Sequence, residues 1–489
     1  MRTVNFIASL LKMGINMDTM SSQELRMRFE HQREAFLGDM VPKLAERLDR
    51  LDRLLAMADL NERDILAAIS ADFGNRSTHE TRMAEIGFIA TAIRHARSHL
   101  KKWMATRRVP TAMHYLPGRN RLMRQPLGVV GIVSPWNYPY QLAIGPAVGA
   151  LAAGNRVMIK PSELTPRFSA LLASMVSEHF APAEMTVVTG DAEVAKAFVS
   201  LPFDHLFFTG STVVGRHVAQ AAAKNLTPVT LELGGKSPAI IDVSCDLALM
   251  APRLAFGKLL NAGQTCIAPD YLMAHRSHLE RLPGLLRNSI TALYPTMAAN
   301  PDYTSIVSDH HFQRLQALLD DAREKGARIV TINPSSETFD PQTRKMAPSL
   351  VLDATPAMRV MQEEIFGPIL PIVGFDHIDE VIDHVNRNER PLALYWFGAD
   401  SGSRDRVLRN TISGGVTVND CIWHITQEAQ PFGGVGASGS GAYHGEWGFR
   451  TFTKEKPVFI QPRFNGLSMM YPPYGKRFEQ MMAVLKRIA

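Results

Sequence analysis

Val129-Val130-Gly131-Ile132-Val133, Arg156-Val157-Met158-Ile159, Met185-Thr186-Val187-Val188 and His205-Leu206-Phe207-Phe208 are short apolar runs, rich in β-branched and aromatic residues. Each reads as a buried strand. Between and after them, near 140–153, 165–180, 191–200 and 213–224, lie stretches of helical character. Strands alternating with helices build a parallel sheet covered on both faces, and nucleotides bind at the carboxyl ends of such sheets. A second alternating region follows Leu233, with Pro238–Ile241, Ala327–Thr331, Ile369–Val373 and Gly415–Val418 as its strands. The fold class is therefore α/β with two domains, which 489 residues at 46% hydrophobic content can supply with separate cores.

Upstream, Ser21-Ser22-Gln23-Glu24 has the form of a capping box and predicts a helix start. Leu44, Leu48, Leu51 and Leu55 then recur at helical spacing, and Lys43, Glu46, Arg47, Asp49, Arg50 and Asp52 are read as the wet face. The segment 105–126 is rich in Arg and Pro without an amphipathic period. The net charge of +6 is scattered except at Lys101, Lys102, Arg107, Arg108, Arg119, Arg121 and Arg124. That cluster is read as a helix end and an exposed arm; no aromatic or motif support makes it a nucleic-acid surface.

The chemistry centres on two blocks. Leu231-Glu232-Leu233-Gly234-Gly235-Lys236-Ser237 carries a carboxyl at the end of a β-rich run, and Gly263-Gln264-Thr265-Cys266 carries a thiol on a polar, flexible approach. A thiolate adds to a carbonyl carbon and holds the product as a thioester, which a carboxylate hydrolyses by activating water. Burial of Glu232 is expected to raise its pKa, and a helix starting near Cys266 would lower that of the thiol. Asn137, in Trp136-Asn137-Tyr138-Pro139 directly after a strand, reads either as a turn-forming Asn or as a ligand-facing amide. Gly210-Ser211-Thr212-Val213-Val214-Gly215 lacks the second glycine of a dinucleotide fingerprint, yet it follows a strand and opens a helix. Thr230 stands where a P-loop ending at Gly235-Lys236-Ser237 demands Gly, which excludes that motif.

Cys245 and Cys421 are read as structural, and three cysteines without a paired framework point to a reducing, cytoplasmic setting. No ligand spacing predicts a metal. Residues 1–20 are read as a flexible extension or a misassigned start, since Met13, Met17 and Met20 could each initiate, and Lys12 interrupts the apolar run a signal peptide would need. No stretch reaches the roughly 18 apolar residues of a membrane span.

The two chemical blocks resemble the active-site signatures of the NAD(P)-dependent aldehyde dehydrogenase superfamily. Further matches run in the family's order: Pro135–Pro139, Lys160-Pro161-Ser162-Glu163, Phe208–Thr212, Glu363–Pro368 and Pro431–Gly436. The resemblance implies a Rossmann-like NAD-binding domain (21–104 and 127–233), an oligomerisation arm (105–126), a catalytic domain (234–435) and a C-terminal segment (436–489) with a returning strand. It assigns Cys266 as nucleophile, Glu232 as base and Asn137 as oxyanion donor. It gives Trp136, Lys160, Glu163, Gly210, Ser211, Glu364 and Phe366 to the cofactor, with Glu363 a solvated neighbour. Glu163 repels a 2′-phosphate, which favours NAD while leaving NADP open; solvated loop charges are the other reading of Lys160 and Glu163.

The run Ser440-Gly441-Ala442-Tyr443-His444-Gly445 is similar to the family's class-three branch. The tail Tyr471–Phe478, with Asn419-Asp420 and His424, is similar to its bacterial coniferyl aldehyde enzymes. That implies oxidation of coniferyl aldehyde to ferulate, with Trp423 and His424 in the substrate pocket unless Trp423 is simply core. Medium- or long-chain fatty aldehydes are the alternative, and a noncatalytic binding protein on the same fold is the alternative of another class. The expected partners are a small aldehyde and a second copy of the chain, not nucleic acid or a membrane.

Overall fold

A computed structural model describes residues 21–488. The expectations for residues 1–20 lie outside the described residues.

The four apolar runs are strands, and they lie next to one another in a sheet of six. Its spatial order is Gly439–Ser440, Val229–Glu232, His205–Thr209, Val129–Val133, Arg156–Lys160 and Met185–Val187. All pairs are parallel except the first, where Gly439 stands opposite Glu232. The helices Pro139–Ala153, Pro166–His179, Ala192–Val199 and Thr212–Ala223 fall within two residues of the expected stretches. Pro139–Ala153 is buried almost all round, because it is covered by the helices Leu44–Phe73, Phe88–Met104 and Gly445–Thr451.

The second sheet has seven strands in the order Arg328–Thr331, Ser349–Leu352, Ile369–Phe375, Tyr271–His275, Pro238–Ile241, Ala393–Phe397 and Gly415–Val418, parallel but for the first pair. Ser349–Leu352, Tyr271–His275 and Ala393–Phe397 were not among the expected strands. Ser349–Leu352 and Ala393–Phe397 are wholly buried and Tyr271–His275 nearly so, and a short run without alternation does not distinguish a strand from a buried helical turn. A third, antiparallel sheet joins Arg107–Val109, Arg119–Pro126 and Thr453–Ile460, so 105–126 contains a hairpin completed by a C-terminal strand. Its period was unreadable because most of its residues lie partly or fully open to solvent.

Three local expectations need correction. Ser21 caps the helix Ser22–Gly38 by accepting the Glu24 N–H at 3.1 Å, but the Glu24 carboxylate turns to Arg28 at 2.8 Å, so only half of the box forms. Arg47 and Arg50 are not on a wet face. Arg47 donates to the carbonyls of Ala153 (2.6 Å) and Pro42 (2.9 Å), placing a cation at the C-terminus of the buried helix, and Arg50 meets Glu184 at 3.2 Å. Arg124, grouped with the exposed arm charges, is buried among Glu446 (2.9 Å), Glu455 (3.2 Å) and the Trp103 carbonyl (2.9 Å).

Candidate active site

The strand end at Glu232, the turn at Asn137 and the loop at Cys266 that leads into Tyr271–His275 are brought together from the two larger sheets. No helix begins at Cys266: the preceding segment Leu260–Gly263 is a tight turn with Asn261 and Ala262 at φ of 53° and 52°. Gly263 also has positive φ, and a Cβ there would stand 2.4 Å from the Gly367 carbonyl oxygen, so only glycine fits. The approach is not flexible either. The Gln264 side chain donates to Asn261 O (3.0 Å) and Ser305 O (3.1 Å) and accepts from the Val307 N–H (3.0 Å).

Without a helix terminus, burial dominates the thiol. It pushes the Cys266 pKa up to about 12, with the Glu364 and Glu232 carboxyls adding to it and the N–H groups of Cys266 and Ile267 opposing. Cys245 is likewise pushed up to about 12 and Cys421 well above the usual thiol range, in both cases mainly by burial.

Glu232 ends its strand with 2% exposure, and burial alone raises its carboxyl well above the usual range, as expected from its setting. Neither oxygen has a hydrogen-bond partner among the described residues, and the loop at Gly433 packs directly over it. Glu364 is pushed up to about 8, first by burial and then by Asp270, against the Gly235 N–H at 3.1 Å, Lys236 and Arg314. A Cβ on Gly234 would fall 2.2 Å from a Glu364 oxygen, so that glycine is a contact requirement. Lys236 is tied to Asp270 and to the carbonyls of Val360 (2.8 Å) and Glu363 (3.0 Å). Glu363 is not simply solvated: it pairs with Arg359 at 2.8 Å.

Asn137 is 3% exposed at the end of Val129–Val133 and just before the helix Pro139–Ala153. Its Nδ2 donates to Gln264 O at 3.2 Å, and its carbonyl accepts from Asn261 Nδ2 at 3.0 Å, so the turn and the Cys266 loop are tied directly. Tyr138 and Thr265 share a second bond at 2.8 Å. A cavity of about 80 Å³ opens onto Cys266, walled by Met83, Phe88, Leu142, Ile422, Trp423 and Ile425, with Gln141 among its few polar groups. Trp423 is 38% exposed and lies parallel to Phe256, ring centres 6.1 Å apart. His424 is not among the lining residues, contrary to expectation. Its Nδ1 is bonded to Thr417 at 2.8 Å, its ring stacks on Phe432, and burial holds its pKa down to about 4.

On the cofactor side, Lys160 ends its strand at 1% exposure, donating to Pro161 O at 2.8 Å with a Glu163 oxygen 4.0 Å away. Glu163 is half exposed. Ser211 caps Thr212–Ala223 through a 3.4 Å bond from the Val214 N–H, directly after Gly210. Trp136 packs edge-on against Phe366 (5.5 Å) and His311 (5.0 Å), and Phe366 is held at a φ of 56°. Sequence reasoning missed Arg76, Glu80, Glu85 and Gln141. All four are at least nine-tenths buried, yet in the chain they look like ordinary polar helix residues. Among the described residues no group of three or more His, Cys, Asp or Glu could hold a metal ion, and no helix is long and apolar enough to cross a membrane.

Two strand-helix sheets, with a cysteine on a small cavity and two buried carboxyls acting on its thiol, define the class. The chain belongs to the aldehyde dehydrogenase family, which its residues 16–458 match. It is 46% identical to the coniferyl aldehyde dehydrogenase of Pseudomonas sp. strain HR199, over 97% of this chain and 98% of that one. It is 38% identical to the 4,4'-diaponeurosporen-aldehyde dehydrogenase of Staphylococcus aureus, over 94% and 99%. Among solved structures, the substrate-bound state of Staphylococcus aureus AldH superposes with a TM-score of 0.89 at 38% identity, over 94% of this chain and 99% of that one.

Proposed function

We propose that this enzyme oxidises aromatic α,β-unsaturated aldehydes, coniferyl aldehyde foremost, to carboxylic acids through a thioester on Cys266, using NAD. The observation that carries the reading is the cavity: an apolar channel with an indole on its wall leads to Cys266. A planar ring stacked on Trp423 gains about 0.5–1.5 kcal/mol beyond its burial. The relatives named for coniferyl aldehyde support the same substrate.

The donors present suit a dinucleotide. The Thr212–Ala223 helix presents first-turn N–H groups that have no partner inside the helix, which suits a pyrophosphate. Lys160 and Glu163, at the end of the strand two places along the sheet, would hold the ribose hydroxyls, and the Glu163 carboxylate would disfavour a 2′-phosphate. Glu364 and Phe366 would hold the nicotinamide end, with Trp136 behind Phe366. When bound, the oxidised nicotinamide supplies the hydride acceptor.

The residues of the chain do the rest. Cys266, once it has lost its proton to water in the cavity, adds through sulfur to the carbonyl carbon. The oxyanion is held by the Cys266 N–H and by Asn137, whose Nδ2 has a second proton beyond the one bonded to Gln264 O. Such a donor is worth about 2.7–4 kcal/mol in the transition state. Loss of hydride from the tetrahedral carbon leaves a thioester. Glu232 then takes a proton from a water that attacks the acyl carbon, the C–S bond breaks, and the sulfur leaves as thiolate with the acid released. Overall, aldehyde, oxidised cofactor and water become acid, reduced cofactor and a proton.

The test is kcat/KM for coniferyl aldehyde, hexanal and decanal with NAD and with NADP, in wild type and Trp423→Ala. Coniferyl aldehyde is expected to be preferred, by a margin that shrinks up to about tenfold in the variant. A wild-type preference for decanal would make this a fatty-aldehyde enzyme. Absence of turnover with all three would leave a noncatalytic member of the family.

A further inference from the structure

One pair of charges has no solvent contact and no part in the steps above. Arg76 and Glu85 are fully buried and paired at 2.9 Å. Removing two charges from water costs more than their attraction returns unless further groups are satisfied. Here satisfaction is uneven. Arg76 Nε and Nη2 lack hydrogen-bond partners among the described residues, so the pair is poorly explained as a source of stability.

What the pair does hold is one short piece of main chain. Arg76 Nη1 donates to the Asn137 carbonyl at 2.9 Å, and the guanidinium lies over the Tyr138 ring at 4.8 Å. Glu85 Oε2 accepts the N–H of Tyr140 at 2.7 Å and of Gln141 at 3.2 Å, the first turn of Pro139–Ala153. Both ends of the turn 137–141 are thus fastened to one ion pair. The Asn137 carbonyl also accepts from Asn261, whose own N–H donates to Glu80 at 2.9 Å, which ties the same point to the loop leading to Cys266.

We infer that the Arg76–Glu85 pair is a positioning device that sets where the Asn137 side-chain amide stands relative to Cys266. The inference rests on Asn137 being the oxyanion donor. Misplacement by about 1 Å of a group that acts only in the transition state can cost on the order of a hundredfold. A brace that merely stabilised the fold would move the melting temperature and leave turnover of the folded enzyme unchanged.

The test compares Arg76→Lys, which keeps a charge but loses the fork, with Arg76→Met/Glu85→Gln, which removes both charges and remains usable should the lysine variant fold poorly. Each is made alone and on Asn137→Ala. The readouts are kcat, KM for the aldehyde, NAD affinity by fluorescence, and alkylation of Cys266 by iodoacetamide, a displacement that forms no oxyanion. The expected result is a kcat about 10–100-fold lower, with KM, NAD affinity and alkylation within about threefold of wild type. On Asn137→Ala the further loss is expected to stay under about threefold, because the group being positioned is gone. Wild-type kcat in both folded variants, or a loss that multiplies fully on Asn137→Ala, overturns the inference alone. Wild-type turnover by Asn137→Ala itself removes the oxyanion assignment and the inference with it.

Discussion

The chemistry of Cys266 is set by its neighbours, and the sign of each influence can be measured. Without cofactor, burial keeps the thiol protonated at neutral pH, so its alkylation by iodoacetamide is expected to rise about tenfold per pH unit from 7 to 9 with no plateau. Glu364, pushed up to about 8, is neutral below that pH and charged above it. Glu364→Gln should therefore speed alkylation above pH 8 and leave it unchanged at pH 6.5; an equal effect at both would show that its charge does not reach the sulfur. For Glu232, the Gln variant is expected to give a rapid burst of NADH followed by turnover slower by at least about 100-fold, because only hydrolysis needs the base. A burst slowed as much as the steady state would give Glu232 another role. Gln141 is 5% exposed, and among the described residues its carboxamide makes no hydrogen bond while lining the cavity. Gln141→Leu is expected to lower kcat/KM for coniferyl aldehyde relative to unsubstituted cinnamaldehyde by about 2–10-fold, the worth of one hydrogen bond. An unchanged ratio would make Gln141 a spectator.

Elements are joined here by buried cations as well as by apolar packing. Arg47 closes the C-terminus of Pro139–Ala153, the helix whose other end carries the turn after Asn137. Arg47→Met should lower stability by about 2 kcal/mol, combining a dipole contact with lost charged hydrogen bonds; an unfolding midpoint equal to wild type would deny the cap any net value. The third sheet has the opposite character. Its outer C-terminal strand leaves Phe459 and Ile460 exposed, and Met113, Tyr115 and Leu116 are exposed at the hairpin tip. Unpaired strand edges with apolar side chains are liabilities unless another chain covers them. We propose that the arm joins two copies of the chain, with the C-terminal strand taking part. Light scattering at micromolar concentration should give twice the chain mass, and a monomer mass would reject the proposal.

Across the whole molecule, buried titratable groups set an unusual dependence of stability on pH. His205, His311 and His424 are held down to about 4 and His444 to about 3, all mainly by burial, so from there to about 6.5 the unfolded chain binds more protons and these groups make stability rise with pH. Glu80 is pushed up to about 7 and Glu364 to about 8, so from about 4.5 upward the folded chain binds more protons and these groups make stability fall. The two sets oppose each other below about 6.5. Above 6.5 the histidine contribution fades as the unfolded chain loses its imidazole protons, and over the interval to 8 the two carboxyls are expected to make stability fall as pH rises. Urea midpoints at pH 6.5 and 8 check this, and Glu364→Gln should flatten the fall. A midpoint that rises over that interval would show that another group dominates.

Local pattern was enough for much of this protein. Strands such as Val129–Val133 and His205–Thr209 announce themselves because a strand covered on both faces must be apolar along its length. Glu232 and Cys266 stood out by residue type and place, Asn137 read equally as a turn former or a ligand-facing amide, and the resemblance to the family rested on the Glu232 and Cys266 blocks together with five further ones. Several properties were decided by contacts between distant segments. Arg47, Arg50, Arg76, Glu80, Glu85 and Arg124 look like solvated charges in the chain, since the partners that bury most of them come from segments remote in sequence. The His424 ring lies against Thr417 and Phe432 rather than lining the cavity at Cys266, and no spacing in Cys421–Ile425 encodes that. The thiol is the sharpest case. Its candidacy as the nucleophile was readable from Gly263-Gln264-Thr265 and the family's signature, but its ionisation depends on burial and on Glu232 and Glu364, quantities that exist only once the two sheets have closed around it.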